Sequence, residues 1–518
     1  MADRDRRTVH AETESEVKMA VPALFALPSL TDLDGPHPLA AQPGARLSLR
    51  ATYFDTHDLR LARSGVTLRY RTGEGRPTWT LKLPAESGAQ GERLEMSLAA
   101  PAAAPPAELT VLVTALVRMA SLGEVVRLTT RRDVWLLADD TGERVAELVD
   151  DLVSVVVSRK VVARFRELEV ERHGIDERAL TALISRLADS GAIRGAFQAK
   201  LVRALGPRAN APPDVPVPMR VRRLDPAAAL VTEALRAGVR RLVAEDLRVR
   251  LGHEDAVHQM RVACRRLRSD LRTFGPLLLA GSTERLRAEL AWLADALADA
   301  RDLEVLRQRL ATTFRADPLA PLDAAAFGRL DTLLAGRERS ARQVVQAALE
   351  EPRYLVLLDE AVALAREPAT TATADLPCRT VLPGLVAAAV ADLDLKAAKL
   401  RAAGSDQRWH AARIRAKRAR YAAEATAPAL GVQAATTGAA LARVQDVLGK
   451  HQDAAIAADA VLSVASEAAD DPALIVLCGR LAERERAAVR AYRAEFVKVW
   501  KKAHAPKVRR WLQSEIRG

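Results

Sequence analysis

The sequence is poor in cysteine and in aromatic residues, and it has no long apolar run. Its three cysteines, Cys264, Cys378 and Cys478, are scattered along 518 residues, which excludes a disulfide framework and a paired-cysteine metal site. No apolar stretch reaches the roughly 18 residues that a membrane-spanning helix requires, and the charged residues that follow Met1 exclude a secretory signal. We therefore expect a cytoplasmic protein in a reducing compartment, without a membrane partner.

Signatures of several common enzymes and of nucleic-acid-binding modules are also missing. There is no GxxxxGK(S/T), HExxH or GxSxG motif, which excludes the commonest nucleotide-hydrolysing, zinc-protease and serine-hydrolase sites. There is no helix-turn-helix, zinc-finger or RNP motif. Aromatic residues make up 4% of the chain, whereas proteins that bind single strands usually stack the bases on aromatic side chains. These absences disfavour a specific nucleic-acid partner.

Basic residues exceed acidic ones, and the excess lies in one part of the chain. Lysine and arginine total 78 against 66 aspartates and glutamates, a net charge of +12. Residues 1–200 carry 27 basic and 28 acidic side chains, whereas residues 201–518 carry 51 and 38. Such a local excess predicts an anionic partner for the second part, which could be nucleic acid, an anionic membrane or a soluble polyanion.

The pattern of the sequence changes after residue 206. Residues 8–206 carry charged side chains at alternate positions, the period of β-strands, with helices predicted at 108–122 and 176–190. Residues 207–219 contain five prolines, which predicts a stiff linker. Residues 220–518 are rich in Ala, Leu, Arg and Glu with helical periodicity. The predicted fold class is therefore α+β, with a β-rich first domain and an all-α second domain.

The second part contains an internal repeat. VHQMRVACRRLRSDLR at 257–272 matches WHAARIRAKRARYAAE at 409–424 with an offset of 152. LADARD at 297–302 matches LGKHQD at 448–453 with an offset of 151. Two blocks at nearly one offset predict a duplicated helical unit, with repeats at about 220–370 and about 375–518.

The first repeat block carries a stripe of one sign of charge. At about 100° per residue, His258 and four arginines fall within an arc of about 80° that extends about 21 Å along a helix; the arginines are Arg261, Arg265, Arg268 and Arg272. A solvated charged face is the alternative, but such faces usually mix signs at i, i+4 spacing. Guanidinium groups bind phosphate oxygens in pairs, so the stripe predicts a linear phosphate polymer. Backbone binding to nucleic acid would use the same charges, and the missing aromatics disfavour it.

These blocks resemble the CHAD domain (conserved histidine α-helical domain) over about residues 220–518. The resemblance rests on VHQMRVACRRLR, ARDLEVL, WHAARIRAKRARYAAE and LGKHQD. It implies two pseudo-symmetric four-helix bundles that share a basic groove and bind inorganic polyphosphate. The implied ligands are His258, Arg261, Arg265, Arg266, Arg268, Arg272, His410, Arg413, Lys417, Arg418 and Arg420. Glu424 departs from the pattern, because it stands where the first repeat has Arg272.

Charged residues on the predicted strands of the first part would share one face. Glu14, Glu16 and Lys18 form an ExExK run, and alternate residues of a strand point to the same side. A solvated edge strand is one explanation, since this face cannot enter an apolar core without partners. The same alternation recurs in later runs, so a closed barrel with a charged interior explains them jointly. Its carboxylates could hold a hard divalent cation and its basic side chains could hold phosphates.

These runs resemble the CYTH domain, or triphosphate tunnel metalloenzyme fold, over about residues 10–205. ExExK at 14–18 is followed in the family's order by LRYR, TLKLP, RLE, TTRRDVW, AELVDD and RELEVE. The resemblance implies an eight-stranded antiparallel tunnel that binds triphosphate. It implies catalytic roles for Glu14, Glu16 and Lys18, and Mg²⁺ or Mn²⁺ ligation by Glu14, Glu16, Glu169 and Glu171. Implied substrate-binding residues are Arg69, Arg71, Lys82, Arg93, Glu95, Arg132, Glu147, Asp151 and Lys200. Position favours Arg132 over Arg131, and parity with Glu147 favours Asp151 over Asp150.

Together the two parts predict a divalent-metal-dependent triphosphatase. The expected substrate is inorganic triphosphate or a similar triphosphate, and the helical part is expected to bind inorganic polyphosphate and to place the protein at polyphosphate granules in the cytoplasm. The alternative is a non-catalytic adaptor that binds polyphosphate and targets granules. The exact triphosphate, the preferred metal, the general base and the oligomeric state stay open at this point.

Overall fold

The computed structural model describes residues 9–30, 39–85, 91–101, 104–195, 198–468 and 470–514. The chain divides into two compact units, residues 1–214 and residues 215–518. Within the described ranges, none of the helices combines the length and the apolar character that crossing a membrane would take.

The first unit is built on antiparallel strands that close into a ring. The strands are β1 His10–Val21, β2 Ala40–Asp55, β3 Thr67–Thr72, β4 Thr78–Pro84, β5 Glu92–Ala99, β6 Gly123–Ala138, β7 Arg144–Val157, β8 Lys160–Arg172 and β9 Ile193–Arg194. They pair in the order β5-β4-β3-β2-β6-β7-β8-β1, and β1 also pairs with β5. The eight-stranded antiparallel tunnel is thereby confirmed, with the two-residue β9 added beside β1.

The seam of the ring is uneven, and a glycine allows it to close. Residues 10–15 of β1 pair with β5, and residues 16–21 pair with β8. At the change of partner the Glu16 amide donates to the Gly91 carbonyl at 3.1 Å. Gly91 has a φ of 90°, and a Cβ there would lie 2.4 Å from the Glu16 carbonyl oxygen. Only glycine permits so close an approach of the two backbones.

Helices accompany the strands of this unit, and an apolar core lies between one of them and the outer face of the sheet. They are α1 Arg60–Arg63, α2 Ala107–Thr110, α3 Thr114–Val117, α4 Glu177–Asp189 and α5 Lys200–Leu205. Asp176 caps α4 by accepting from the amides of Arg178 and Ala179, and α4 buries Leu183 and Leu187 against Met19 of β1. Because Met19 and Glu16 have opposite parity on β1, the face opposite the core carries the charges.

One predicted helix is correct and one is wrong. The helix predicted at 176–190 is α4. The helix predicted at 108–122 is instead three short turns, α2, the 3₁₀ turn Val111–Val113 and α3, and the last ends at Arg118 with a φ of 56°. The stretch TVLVT is rich in β-branched residues, which lower helix propensity.

The second unit is helical throughout. Its helices are α6 Ala227–Arg250, α7 Ala256–Thr273, α8 Glu284–Ala296, α9 Ala298–Arg315, α10 Ala324–Glu350, α11 Pro352–Arg366, α12 Cys378–Ala397, α13 Asp406–Leu430, α14 Val432–Glu467, α15 Pro472–Ala503, α16 Pro506–Arg509 and α17 Trp511–Ser514. Helix boundaries recur at about the offset seen in the sequence: α7 corresponds to α13, and α8 with α9 corresponds to the single helix α14. The structure therefore confirms the predicted α+β class, with two related helical bundles.

A backbone bridge joins the two repeats at equivalent residues. Pro226 and Pro377 precede α6 and α12, and they form an antiparallel bridge. The Ala227 amide donates to the Leu376 carbonyl and the Cys378 amide donates to the Asp225 carbonyl, both at 2.9 Å. An antiparallel bridge between equivalent residues is the arrangement that a pseudo-two-fold axis produces.

Candidate functional site

The interior of the ring is a narrow charged cavity of about 50 Å³. Alternate residues of several strands point into it, and α5 contributes from one side. Its lining residues are Glu14, Glu16, Lys18, Tyr53, Thr67, Arg69, Arg71, Lys82, Arg93, Arg132, Glu169, Glu171, Ala199 and Lys200. Four carboxylates and seven cationic side chains therefore meet in one small space, which a polyanion with a bound cation would complement in charge.

Three residues predicted for the tunnel lie outside its lining. The Glu95 carboxylate lies 2.8 Å from the Lys82 ammonium, and Asp151 is fully buried behind Arg132. Glu147 pairs with Arg144, an exposed residue of the same strand. Glu95 and Asp151 therefore support lining cations, and Glu147 is opposite Glu171 in the strand register without lining the cavity.

The choice of Arg132 by position and the choice of Asp151 by parity both agree with where the structure places these residues. Arg132 is buried and lines the cavity, whereas Arg131 is exposed. Asp150 faces the other side of the sheet, where it receives hydrogen bonds of 2.8 and 2.6 Å from Arg166. Asp151 receives 2.9 and 2.8 Å hydrogen bonds from the Arg132 guanidinium, a paired arrangement that fixes this side chain.

Lysines neutralise most of the cavity carboxylates. The Lys82 Nζ donates to Glu14 Oε1 at 2.6 Å. The Lys18 Nζ lies 3.1 Å from Glu16 Oε1 and also donates to Glu169. Lys200 lies 2.8 Å from Glu169 and 2.9 Å from Asp151. The positive and negative side chains of the cavity therefore form ion pairs with one another.

The carboxylates of the cavity differ in acidity. Burial raises the pKa of Glu171 to about 7, and the neighbouring Glu169 charge adds to the effect. Burial also raises the pKa of Glu16. For Glu169 burial acts in the same direction, but the charges of Lys18, Lys200 and Arg132 outweigh it and hold the pKa well below its usual range. Glu169 is therefore ionised at neutral pH, whereas Glu171 is partly protonated at that pH.

The donor set suits a hard divalent cation in chemistry. Glu14, Glu16, Glu169 and Glu171 supply only carboxylate oxygens, which Mg²⁺ and Mn²⁺ prefer. Among the described residues no group of three or more carboxylates, histidines or cysteines is close enough to hold a metal ion. The carboxylates are kept apart because lysine ammonium groups lie between them.

Sequence reasoning missed Tyr53 and Thr67 in the tunnel lining. In the strand register Tyr53 is opposite Arg69 and Thr67 is opposite Lys82. Neither residue is charged, so the alternation of charges did not mark them. Only the register of β2, β3 and β4 would have identified them as lining residues. Register follows from strand pairing and not from the pattern of one strand.

The second candidate site is a basic groove of about 750 Å³ between α7, α8 and α13. It is lined by Arg261, Arg265, Arg268, Ser269, Arg272, Glu284, Arg287, Ala288, Ala291, Asp295, His410, Arg413, Ile414, Lys417, Arg418 and Tyr421. Eight of the eleven predicted polyphosphate ligands are among these residues. Sequence reasoning missed Arg287, which stands on α8 within a run of mixed charge, ERLRAEL, that gave no signal.

The remaining three predicted groove residues lie elsewhere. Arg266 and Arg420 both donate to Glu424, at 3.0 and 2.6 Å. His258 is half-buried, and its pKa is lowered by burial and by the Arg301 charge. Glu424 thus binds two arginines together at the contact between α7 and α13, which accounts for a glutamate at this position of the second repeat.

Several groove cations have no carboxylate partner. Among the described residues none lies within 4.0 Å of Arg265, Arg268, Arg272, Arg413 or Lys417. The Nε atoms of Arg265 and Arg413 are buried without a hydrogen-bond partner. Burial, together with the charges of Arg413 and Arg265, lowers the pKa of Lys417 to about 6. Unpartnered buried donors and repelling charges are costly, so a bound anion would stabilise the groove.

Two family models match the chain. The CYTH domain matches residues 12–195, which form the tunnel, and the CHAD domain matches residues 233–462, which contain the groove. A curated relative, "Uncharacterized protein Rv2226" of Mycobacterium tuberculosis (strain ATCC 25618 / H37Rv), is 34% identical over 447 residues, 80% of this chain and 82% of the relative.

Two solved structures are similar to part of the chain. PptA from Streptomyces chartreusis is 25% identical with a TM-score of 0.45, and the match covers 54% of this chain and 100% of that one. The CHAD domain from the plant Ricinus communis is 24% identical with a TM-score of 0.42, and the match covers 57% of this chain and 94% of that one.

Proposed function

We propose that this chain, which belongs to the family of proteins in which a CYTH domain precedes a CHAD domain, is a divalent-cation-dependent triphosphatase that also binds inorganic polyphosphate. The tunnel would hydrolyse inorganic triphosphate or a similar triphosphate, and the groove would hold the polymer. The observation that carries the proposal is the meeting of four carboxylates and seven cations in one cavity.

The cations of the cavity would bind and orient the triphosphate. Arg69, Arg71 and Arg93 line the cavity together, and Arg69 keeps a buried Nε without a hydrogen-bond partner. Guanidinium groups would hold phosphate oxygens in fixed positions and neutralise the charge that develops on the leaving phosphate. The fixed pair of Arg132 with Asp151 would keep one such donor in place during the reaction.

The carboxylates of the cavity would hold the divalent cation, and one of them, Glu171, also carries an exchangeable proton. Glu14, Glu16, Glu169 and Glu171 would be its ligands. When bound, the cation would neutralise phosphate charge and help to orient a water for attack on the terminal phosphorus. Glu171, with its pKa of about 7, must lose its proton before it can act as a ligand.

A phosphate-release assay tests the enzymatic part. Tripolyphosphate, pyrophosphate and ATP are incubated with the full chain and Mg²⁺ or Mn²⁺, with a chelator as the blank. We expect release from tripolyphosphate to exceed release from ATP, because Tyr53 is the only aromatic residue of the cavity lining described above that could stack on a base. Release at the level of the blank for every substrate would favour the alternative, a non-catalytic adaptor. The observation that supports this alternative is that lysine ammonium groups already contact the carboxylates that would bind the cation.

Competition tests the groove. Labelled polyphosphate bound to the full chain is displaced by unlabelled polyphosphate or by single-stranded DNA over a series of salt concentrations. Tyr421 is the one aromatic side chain of the described groove lining, so we expect DNA to compete weakly at moderate salt. Equal competition by DNA would indicate that the groove binds nucleic-acid backbones as well as it binds polyphosphate.

Polyphosphate affinity should depend on pH through Lys417. With its pKa lowered to about 6, Lys417 is mostly neutral in the free groove at pH 8. A bound phosphate restores the ammonium form, so binding takes up a proton, and affinity should fall by up to about tenfold per pH unit above pH ~7. Titrations across this range measure the slope. Lys417→Arg stays charged and should flatten it, and an equal slope in that variant would contradict the assignment.

A further inference from the structure

We infer that Lys18 and Lys82 occupy the carboxylates that a divalent cation would bind, so that the cation and the triphosphate bind the tunnel cooperatively. The inference rests on the proposed function for the identity of both ligands. It concerns what the tunnel does before the reaction, and it can be tested without any turnover.

The contacts of the two lysines define the competition. Lys82 lies 2.6 Å from a Glu14 oxygen and 2.8 Å from Glu95. Lys18 lies 3.1 Å from a Glu16 oxygen and donates to Glu169. Three of the four candidate ligand carboxylates therefore already hold a lysine. The fourth, Glu171, lies 3.8 Å from Arg132.

A divalent cation and a lysine cannot share these oxygens at close range, because their charges repel. A displaced ammonium needs another anion, since a largely buried charge without a partner is strongly unfavourable. Lys82 would keep its contact with Glu95. Lys18 contacts Glu16 and Glu169, which are both candidate ligands, and its side chain is only 14% exposed, so little solvent could replace them. In the proposed function this anion is a phosphate, so phosphate binding would release the carboxylates.

Lysine is suited to this exchange and arginine is not. Lysine carries a point charge on a flexible stem of four carbons, which can turn from one oxygen to another. Arg132 is held by two parallel hydrogen bonds to Asp151, so it stays in place. The tunnel thus combines a fixed phosphate donor with two mobile ones, and the two mobile ones together contact three of the four candidate metal ligands.

Linkage requires the effect to be reciprocal. If the triphosphate withdraws the lysines from the glutamates, it raises the affinity for the cation, and the cation raises the affinity for the triphosphate by the same factor. Couplings of this kind are typically about 5–150-fold. Removing one lysine should therefore produce part of this increase in cation affinity even when no phosphate is present.

The first experiment measures Mn²⁺ binding alone. The full chain is titrated with Mn²⁺ without phosphate at mildly alkaline pH, which keeps carboxylates ionised, and free Mn²⁺ is followed by electron paramagnetic resonance. We expect Lys18→Met to bind Mn²⁺ at least about fivefold more tightly than the wild type. Lys399→Met, which removes an exposed lysine that belongs to neither site, is the control and should leave the affinity unchanged. Equal Mn²⁺ affinities of wild type and Lys18→Met would overturn the inference. Lys82→Met provides the same test at Glu14 if Lys18→Met does not fold.

The second experiment measures the coupling from the phosphate side. Binding of imidotriphosphate, whose bridging nitrogens resist hydrolysis, is measured by calorimetry with and without Mg²⁺. We expect Mg²⁺ to increase the affinity of the wild type more than that of Lys18→Met. An identical increase in both proteins would overturn the inference. A chain that hydrolyses tripolyphosphate but shows no gain in Lys18→Met refutes the coupling alone, whereas a gain in a chain without turnover refutes the enzymatic proposal alone.

Discussion

Replacing Glu14 and Glu16 together by glutamine is expected to lower kcat/KM for tripolyphosphate by at least about 1,000-fold, since one preorganised electrostatic group alone is commonly worth about 100- to 1,000-fold. Glutamine keeps the shape of the side chain but removes the charge that a divalent cation requires. It also leaves Lys82 and Lys18 without two of their carboxylate partners. The measurement is initial-rate phosphate release at saturating Mg²⁺ or Mn²⁺.

The strand itself offers a matched control for this substitution. Glu12 lies two residues before Glu14 on β1 and has the same parity, but it is exposed and is not part of the cavity lining. Glu12→Gln removes the same chemical group from the same strand, and its activity should stay within about twofold of the wild type, as surface substitutions usually do. Comparable losses in Glu12→Gln and in the double variant would show that charge on β1, rather than the cavity carboxylates, sustains activity. Thermal melts of both variants separate loss of fold from loss of function.

Replacing Arg265 and Arg413 together by alanine is expected to weaken polyphosphate binding by about 100-fold or more, since each hydrogen bond to a charged group contributes about 1.5–3 kcal/mol. These arginines come from the two helices that form the floor of the groove, and each keeps a buried Nε without a protein partner. Their loss removes donors that only a ligand can satisfy. Hydrolysis of tripolyphosphate in the tunnel should be unaffected by this change.

Net charge must be separated from position in that experiment. Arg339 and Arg443 are exposed residues of the same unit, and neither lines the groove. Arg339→Ala/Arg443→Ala removes the same two charges and should weaken binding by less than about threefold at physiological salt, where exposed charges are largely screened. Similar losses in both double variants would mean that the polymer senses overall charge and that the groove is not its site.

The alternation of charge along single strands was enough to orient most of the tunnel residues. Side chains of a strand alternate by geometry, so Glu14, Glu16 and Lys18 had to share a face, and parity also separated Asp151 from Asp150. Closure of the ring at Gly91 and the neutral residues Tyr53 and Thr67 could not be predicted in this way. They depend on which strands pair and in which register, which are long-range properties of the sheet.

In the helical part the repeat was visible because the same stripe occurs twice at one offset. The stripe placed Arg265 and Arg268 on one face by helical periodicity. The role of Arg287 on α8 and the pairing of Arg266 with Glu424 were not predictable, because both arise from contacts between helices. The error at 108–122 has a different cause, because the β-branched residues of TVLVT lower helix propensity and the chain leaves the helical conformation at Arg118.

The uneven seam of the ring has a consequence for aggregation. Because β1 pairs with β8 only at residues 166–171, residues 160–165 of β8 keep an unpaired edge among the pairings of the described strands. Val161 and Val162, 48% and 59% exposed, stand on this edge, a setting in which strands of different molecules can join. Lys160 and Arg164 flank the two valines, and charges at such positions keep edges apart in natural sheets. We therefore expect two cations that belong to neither site to limit self-association of the protein at high concentration.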